Sequence, residues 1–157
     1  MVMELKDLKK EYEKLESRHK LPKFDELNAD FEIEKLDKQS DKTLRAIRKV
    51  MMEKIVNSMS FLEMLVNPIN TPRMYLSYIN TMSHEDKKTI DNIYTSLAEL
   101  SVLSLELEID TTEEKEAGLI KDVFKKWQEL KGGFKQIIAN IKTPKNSIVK
   151  KERNYFG

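Results

Sequence analysis

The chain reads as an all-α protein: a compact bundle of about four main helices plus short helices, followed by a C-terminal tail. Three observations carry that reading. Apolar residues recur at steps of three and four over long stretches. Four glycines and four prolines are all the chain contains, and they fall mostly between those stretches. Ser, Thr and Asp stand just ahead of the apolar runs, where a helix leaves its first N–H groups without partners.

The elements follow in order. Residues 3–20 carry Leu5, Leu8, Tyr12, Leu15 and His19 on one narrow seam, stopped by Pro22. The seam is too short for an independent coiled coil and predicts packing on the parent domain. A connector, residues 21–39, holds the large hydrophobes Phe24, Leu27, Phe31 and Ile33 among others and is expected to be packed. Phe24, Leu27 and Phe31 suit a short helix there, and the alternation through Phe31 and Ile33 suggests an extended stretch after it. Ser40 or Asp41 is expected to cap a long helix that Pro68 ends. Its face is Leu44, Ile47, Met51, Ile55, Met59, Leu62 and Val66, widened by Val50, Met52, Val56 and Leu65.

Thr71-Pro72 predicts a short helix over residues 72–81 with proline at its first position. Ser83 then caps a helix with Ile90, Ile93, Leu97, Leu100, Leu103 and Leu107 on one face. Residues 102–110 also alternate with period two, so a strand paired with the connector is the competing reading. Helix to about Leu107 is preferred, because a lone two-stranded ribbon is weak. Thr111 to Glu114 reads as a capping box. It opens the last helix, which carries Ile120, Val123, Phe124, Trp127, Leu130, Phe134, Ile137, Ile138 and Ile141. Gly132 and Gly133 kink or split that helix, and Pro144 ends it. The organisation is therefore a helical bundle over residues 1–142 and a basic, flexible tail over 143–157.

Composition limits the function. With no cysteine, disulfides, thiolate metal sites and a cysteine nucleophile are excluded. The chain is 39% apolar and 35% charged, too apolar for a disordered chain and too charged for a membrane one. No signal-peptide pattern opens it, and a cytoplasmic location is the expectation. Net charge is +1, so no global field draws it to nucleic acid or lipid. Lysine outnumbers arginine 23 to 5, which argues against base-specific DNA reading, although genome composition accounts for it more simply.

Candidate chemistry is sparse. Glu16 and His19 make one Glu-x-x-His step, where di-iron bundles need two. His84-Glu85 starts a zinc-protease pattern, but Lys88 stands where its second histidine belongs. His19 fits a helix C-terminus and His84 an exposed first turn. Ser83 is explained as a cap, and Ser101 and Ser104 as helix–helix contacts or back-bonds to the backbone. Glu106, Glu108, Asp110, Glu113, Glu114 and Glu116 form an acidic stretch best read as solvated helix ends. The expectation is no enzyme, no cofactor and no metal.

The methionines and the tail point to binding instead. Met52 and Met64 fall off the main seam of their helix and are candidates for a partner surface. From Lys142 onward five basic residues face one acid, Glu152, and the tail ends in Tyr155 and Phe156. Lys145, Lys150, Lys151, Arg153, Tyr155 and Phe156 form a candidate docking motif, and the alternative is that the two aromatics fold back on the bundle. The ending resembles the hydrophobic–tyrosine–any motif with which proteasome-activating ATPases dock, with Phe156 in place of the tyrosine. The expected function is a non-catalytic protein–protein interaction module: an adaptor, accessory subunit or assembly factor. The partner is another protein. The alternative is a nucleic-acid-associated accessory protein using the lysine-rich tail. A metal-dependent enzyme using the acidic residues ranks third.

Overall fold

A computed structural model describes residues 4–36, 42–69 and 71–143. Among them are six α-helices and no strand: α1 (Leu5–His19), α2 (Phe24–Phe31), α3 (Thr43–Val66), α4 (Arg73–Thr81), α5 (His84–Ile109) and α6 (Glu113–Lys142). A 3-10 turn, Ile33–Lys35, lies between α2 and α3. The all-α class is as expected. No helix of the described residues is long and apolar enough to cross a membrane.

α3, α5 and α6 pack pairwise and make the centre of the core. Their directions follow from their contacts. Arg48 meets Ser104 and Arg45 meets Glu108, so α3 and α5 run antiparallel. Arg48 meets Glu116 and Phe61 meets Phe134, so α3 and α6 run parallel. α1, α2 and α4 close the remaining sides.

α1 buries Leu8 and Tyr12, and the Tyr12 hydroxyl donates to the Pro22 carbonyl while its ring meets Phe24 edge-on at 5.5 Å. The N-terminal helix thus packs on its own domain. The connector is packed as expected, but the extended stretch is not formed. Glu32 adopts a left-handed conformation (φ 51°), which ends α2 and turns the chain. Phe31 and Ile33 both reach the core, so their period-two spacing comes from a turn.

α3 begins at Thr43, with Lys42 at the cap position; Ser40 and Asp41 lie outside the described residues. Leu44, Ile47, Met51, Ile55 and Leu62 are buried as expected, whereas Val56 and Val66 are exposed. Pro72 sits at the cap of α4, one position earlier than expected. Ser83 caps α5 by accepting from the Asp86 N–H at 3.0 Å. α5 stays helical to Ile109. Of the alternating apolar residues only Leu107 is buried, and Leu103, Leu105 and Ile109 are exposed. The cap of α6 is Thr112, accepting from the Lys115 N–H at 3.2 Å, not Thr111.

Gly132 and Gly133 do not split α6, which is continuous to Lys142. They do different work. A Cβ on Gly133 would touch Ile93 and Thr89 at 3.4 Å, so this glycine lets α5 approach α6 closely. A Cβ on Gly132 would meet nothing within 4 Å. Gly132→Ala is therefore expected to raise stability by about 0.5–1 kcal/mol, because alanine is the better helix former. Gly133→Leu should destabilise through crowding. Urea midpoints that moved the same way in both variants would contradict this division.

Candidate functional site

Two features stand out: an aromatic groove on one side of the bundle, and a buried ionic cluster at its other end.

The groove has a volume of about 860 Å³ and is bounded by the end of α2, the middle of α3, the start of α4 and the end of α6. Five rings run in a continuous row beneath and along it. Phe31 lies 6.1 Å from Trp127, Trp127 lies 6.1 Å from Phe134, and Phe134 lies 5.8 Å from Phe61. Phe61 in turn meets Tyr75 edge-on at 5.8 Å. Phe31 and Trp127 are buried, while Phe61, Tyr75 and Phe134 are half-buried and line the opening. Val50, Met74, Ile138 and Ile141 add aliphatic surface.

Its rim is charged. The Lys54 ammonium lies 5.1 Å from the Trp127 ring centroid and 5.5 Å from that of Phe31, and donates to the Asp30 carbonyl. The Asp30 carboxylate accepts from Gln128 at 2.5 Å and pairs with Lys131 at 3.5 Å. Glu32 pairs with Lys35 at 3.1 Å. Glu53 lines the groove with no ion pair among the described residues.

The ionic cluster centres on Arg48, which is 1% exposed. Its Nε and Nη2 donate to Glu116 at 2.5 and 3.2 Å, Nη1 to the Ser104 hydroxyl at 2.8 Å, and Nη2 also to Glu108 at 2.9 Å. Glu116, 3% exposed, accepts further from the Thr111 hydroxyl at 2.9 Å, and Glu108 pairs with Arg45 at 2.9 Å. Burial alone would lower the Arg48 pKa, but the hydrogen bonds to Glu116 and Glu108 outweigh it and hold it above its ordinary value. Each nitrogen of this guanidinium has a partner, so the cluster reads as a clamp joining α3, α5 and α6.

The Arg48 and Arg45 hydrogen bonds hold the Glu108 carboxyl below its ordinary 4.5. His19 and Arg18, both 2.8 Å from Glu113, lower that carboxyl too. A carboxylate depressed in the fold contributes stability above the unfolded value of about 4.5 that is lost as pH falls through the folded value. The melting temperature should therefore hold from neutral pH to about 5 and fall below it. Glu108→Gln should flatten the fall; an unchanged acid limb would contradict the assignment. The effect is modest, since the Glu108 side chain is 39% exposed.

On α4, burial, with Asp86 adding to it, pushes the Tyr78 pKa up to about 12, and its hydroxyl has no partner among the described residues. Tyr78→Phe is expected to raise stability by up to about 1 kcal/mol. A loss above that amount in urea denaturation would show that the hydroxyl is bonded.

Lys145, Lys150, Lys151, Arg153, Tyr155 and Phe156 lie outside the described residues. Met52 is a correction: it is 6% exposed and belongs to the core, because the apolar face of α3 touches neighbours on two sides. Met64 is half-buried, and its carbonyl accepts from the Thr71 hydroxyl at 3.1 Å. His19 ends α1 against Glu113, and His84 is exposed in the first turn of α5. Ser101 and Ser104 make interhelical contacts, to the Met59 sulfur and to Arg48. No group of three or more His, Cys, Asp or Glu among the described residues is placed to hold a metal ion.

Comparison of the chain with protein-family models, with curated proteins and with solved structures found no match.

Proposed function

We propose that this chain is a non-catalytic protein–protein interaction module that receives a partner's segment in the aromatic groove. The carrying observation is the row of five rings, three of them half-buried at an open groove set on long packed helices. Exposed aromatic surface in a concave site is where binding energy concentrates. The partner segment has matching chemistry: one or two aromatic side chains for the groove's rings, flanked by lysine for Glu53, the rim carboxylate with no ion pair among the described residues. The basic, aromatic tail foreseen as a docking element is a segment of this same kind.

Photo-crosslinking in native cells tests this. A benzophenone side chain at Met74 or Asn57 of the full chain should give one discrete adduct whose cross-linked partner peptide contains an aromatic residue flanked by lysines. The same probe at Lys88, away from the groove, should not. Adducts of equal yield at all three positions, or cross-linked peptides without an aromatic residue, would contradict the proposal.

A further inference from the structure

α5 carries two apolar seams. Ile90, Ile93, Leu97, Leu100, Ser104 and Leu107, in steps of three and four, are buried in the core. Ala98, Val102, Leu105 and Ile109 repeat the same steps on the outer side, the spacing with which one helix packs along another. Val102, Leu105 and Ile109 are 56 to 90% exposed. This outer seam borders α3. Arg45 meets Glu108, and the Ser101 hydroxyl meets the Met59 sulfur at 3.2 Å. Between those two ties lie Leu105 on α5 and the exposed Val56 on α3. The aromatic groove uses another flank of α3, with Val50, Lys54 and Phe61, so the α3–α5 face is a separate surface. From Lys88 to Ile109 it is roughly 30 Å long and, two packed helices across, roughly 20 Å wide. That footprint of about 600 Å², enlarged by its relief, approaches the ~800 Å² per partner of a standard interface.

The charges on this face complement one another. α3 contributes Lys49 and Glu63, and α5 contributes Lys87, Lys88, Asp91, Glu99 and Glu106, all exposed and without an ion pair among the described residues. Arg45 and Glu108 pair with each other, and Asp110 pairs with Lys115. Arg48 meets Ser104, so Lys49 stands level with the stretch between Glu99 and Glu106. Leu65 and Val66 share a pocket with Lys87 and Asp91, so Glu63 stands level with that first part of α5. At one end of the face a base on α3 is level with two acids on α5. At the other end an acid on α3 is level with two bases and Asp91. A two-fold axis along the helices lays each α5 antiparallel on the α3 of a second copy at the same level. Lys49 then meets Glu106, Glu63 meets Lys88, and Val56 meets the outer seam, each contact made twice. Laying α5 on α5 would instead set the acidic flanks, Glu99 and Glu106, against each other.

We infer that this chain pairs with a second copy of itself through the α3–α5 face, the outer seam of each α5 packed on the other copy's α3. The contact leaves one aromatic groove free on each copy.

Sedimentation equilibrium of the full chain tests this. A reversible dimer is expected, weaker at high salt because its charged contacts lie at the rim. Leu105→Glu changes a side chain exposed in the single chain, so the helical circular-dichroism spectrum should persist while the dissociation constant rises at least about tenfold. The charge pattern has its own test. Lys49→Glu alone and Glu106→Lys alone should each dimerise at least about tenfold more weakly, since both symmetric contacts become like-charged. Mixed one to one, the two variants should form a heterodimer of about natural strength. Each Lys49→Glu site then meets a Glu106→Lys site, and the second contact keeps the natural pair. A chain that stays monomeric up to about 1 mM would overturn the inference. So would a dimer indifferent to Leu105→Glu, or a mixture that associates no more tightly than its components. A monomer whose benzophenone probe at Val102 cross-links a different protein in native cells would assign the face to that protein and equally overturn the pairing.

Discussion

Arg48→Ala is expected to destabilise the fold by about 3–5 kcal/mol, because it leaves the Glu116 carboxylate buried without its counter-charge. Three helices meet at this side chain, so the loss is not local: α3 loses its tie to Ser104 and Glu108 on α5 and to Glu116 on α6. Domains of this size are stable by roughly 5–15 kcal/mol, so the variant should unfold at much lower urea. Arg48→Met combined with Glu116→Leu removes both charges and keeps the volume. It should cost far less than the sum of the single changes. Additive losses would show that the two side chains act separately.

Trp127→Ala should cost about 3–5 kcal/mol, the range for truncating a core aromatic. Trp127 is 6% exposed, and its ring links Phe31 to Phe134. Removing it takes away the buried ring that supports the groove residues Phe31 and Phe134 from beneath and over which Lys54 sits. The stability loss should therefore come with lost groove binding, whereas Gly132→Ala, on the outer face of the same helix, should leave binding intact. A loss below about 1 kcal/mol would mean that the ring row does not support the groove.

Much of the fold was legible in the sequence, because helix periodicity survives wherever one face meets a core. The seams of α5 and α6, the Ser83 cap and the burial of Trp127 all follow from spacing alone. What escaped was polar burial. Arg48 sits on the apolar face between Leu44 and Met51, and Glu116 heads the seam that continues through Ile120, Val123 and Trp127. Each charge taken alone looks like a solvated residue, and only tertiary pairing makes it internal. The same pairing explains why Ser104 is buried on α5 while its neighbour Leu103 is exposed. An arginine on an apolar stripe in a chain of lysines was the available signal. The groove was not legible, because its five rings come from four helices and no local pattern joins them. Met52 failed as a surface candidate for a related reason: lying off one seam of a helix packed on two sides still means lying in the core.

The most direct measurement is binding of a synthetic peptide of residues 144–157 to the full chain carrying Tyr155→Ala and Phe156→Ala, followed by NMR. Saturable shifts in the ring resonances of Phe61, Tyr75 and Phe134, abolished when the peptide's two aromatics are replaced by alanine, are the predicted result. No saturation up to millimolar peptide, or shifts confined to residues outside the groove, would contradict the claim that the groove receives a lysine-flanked aromatic segment.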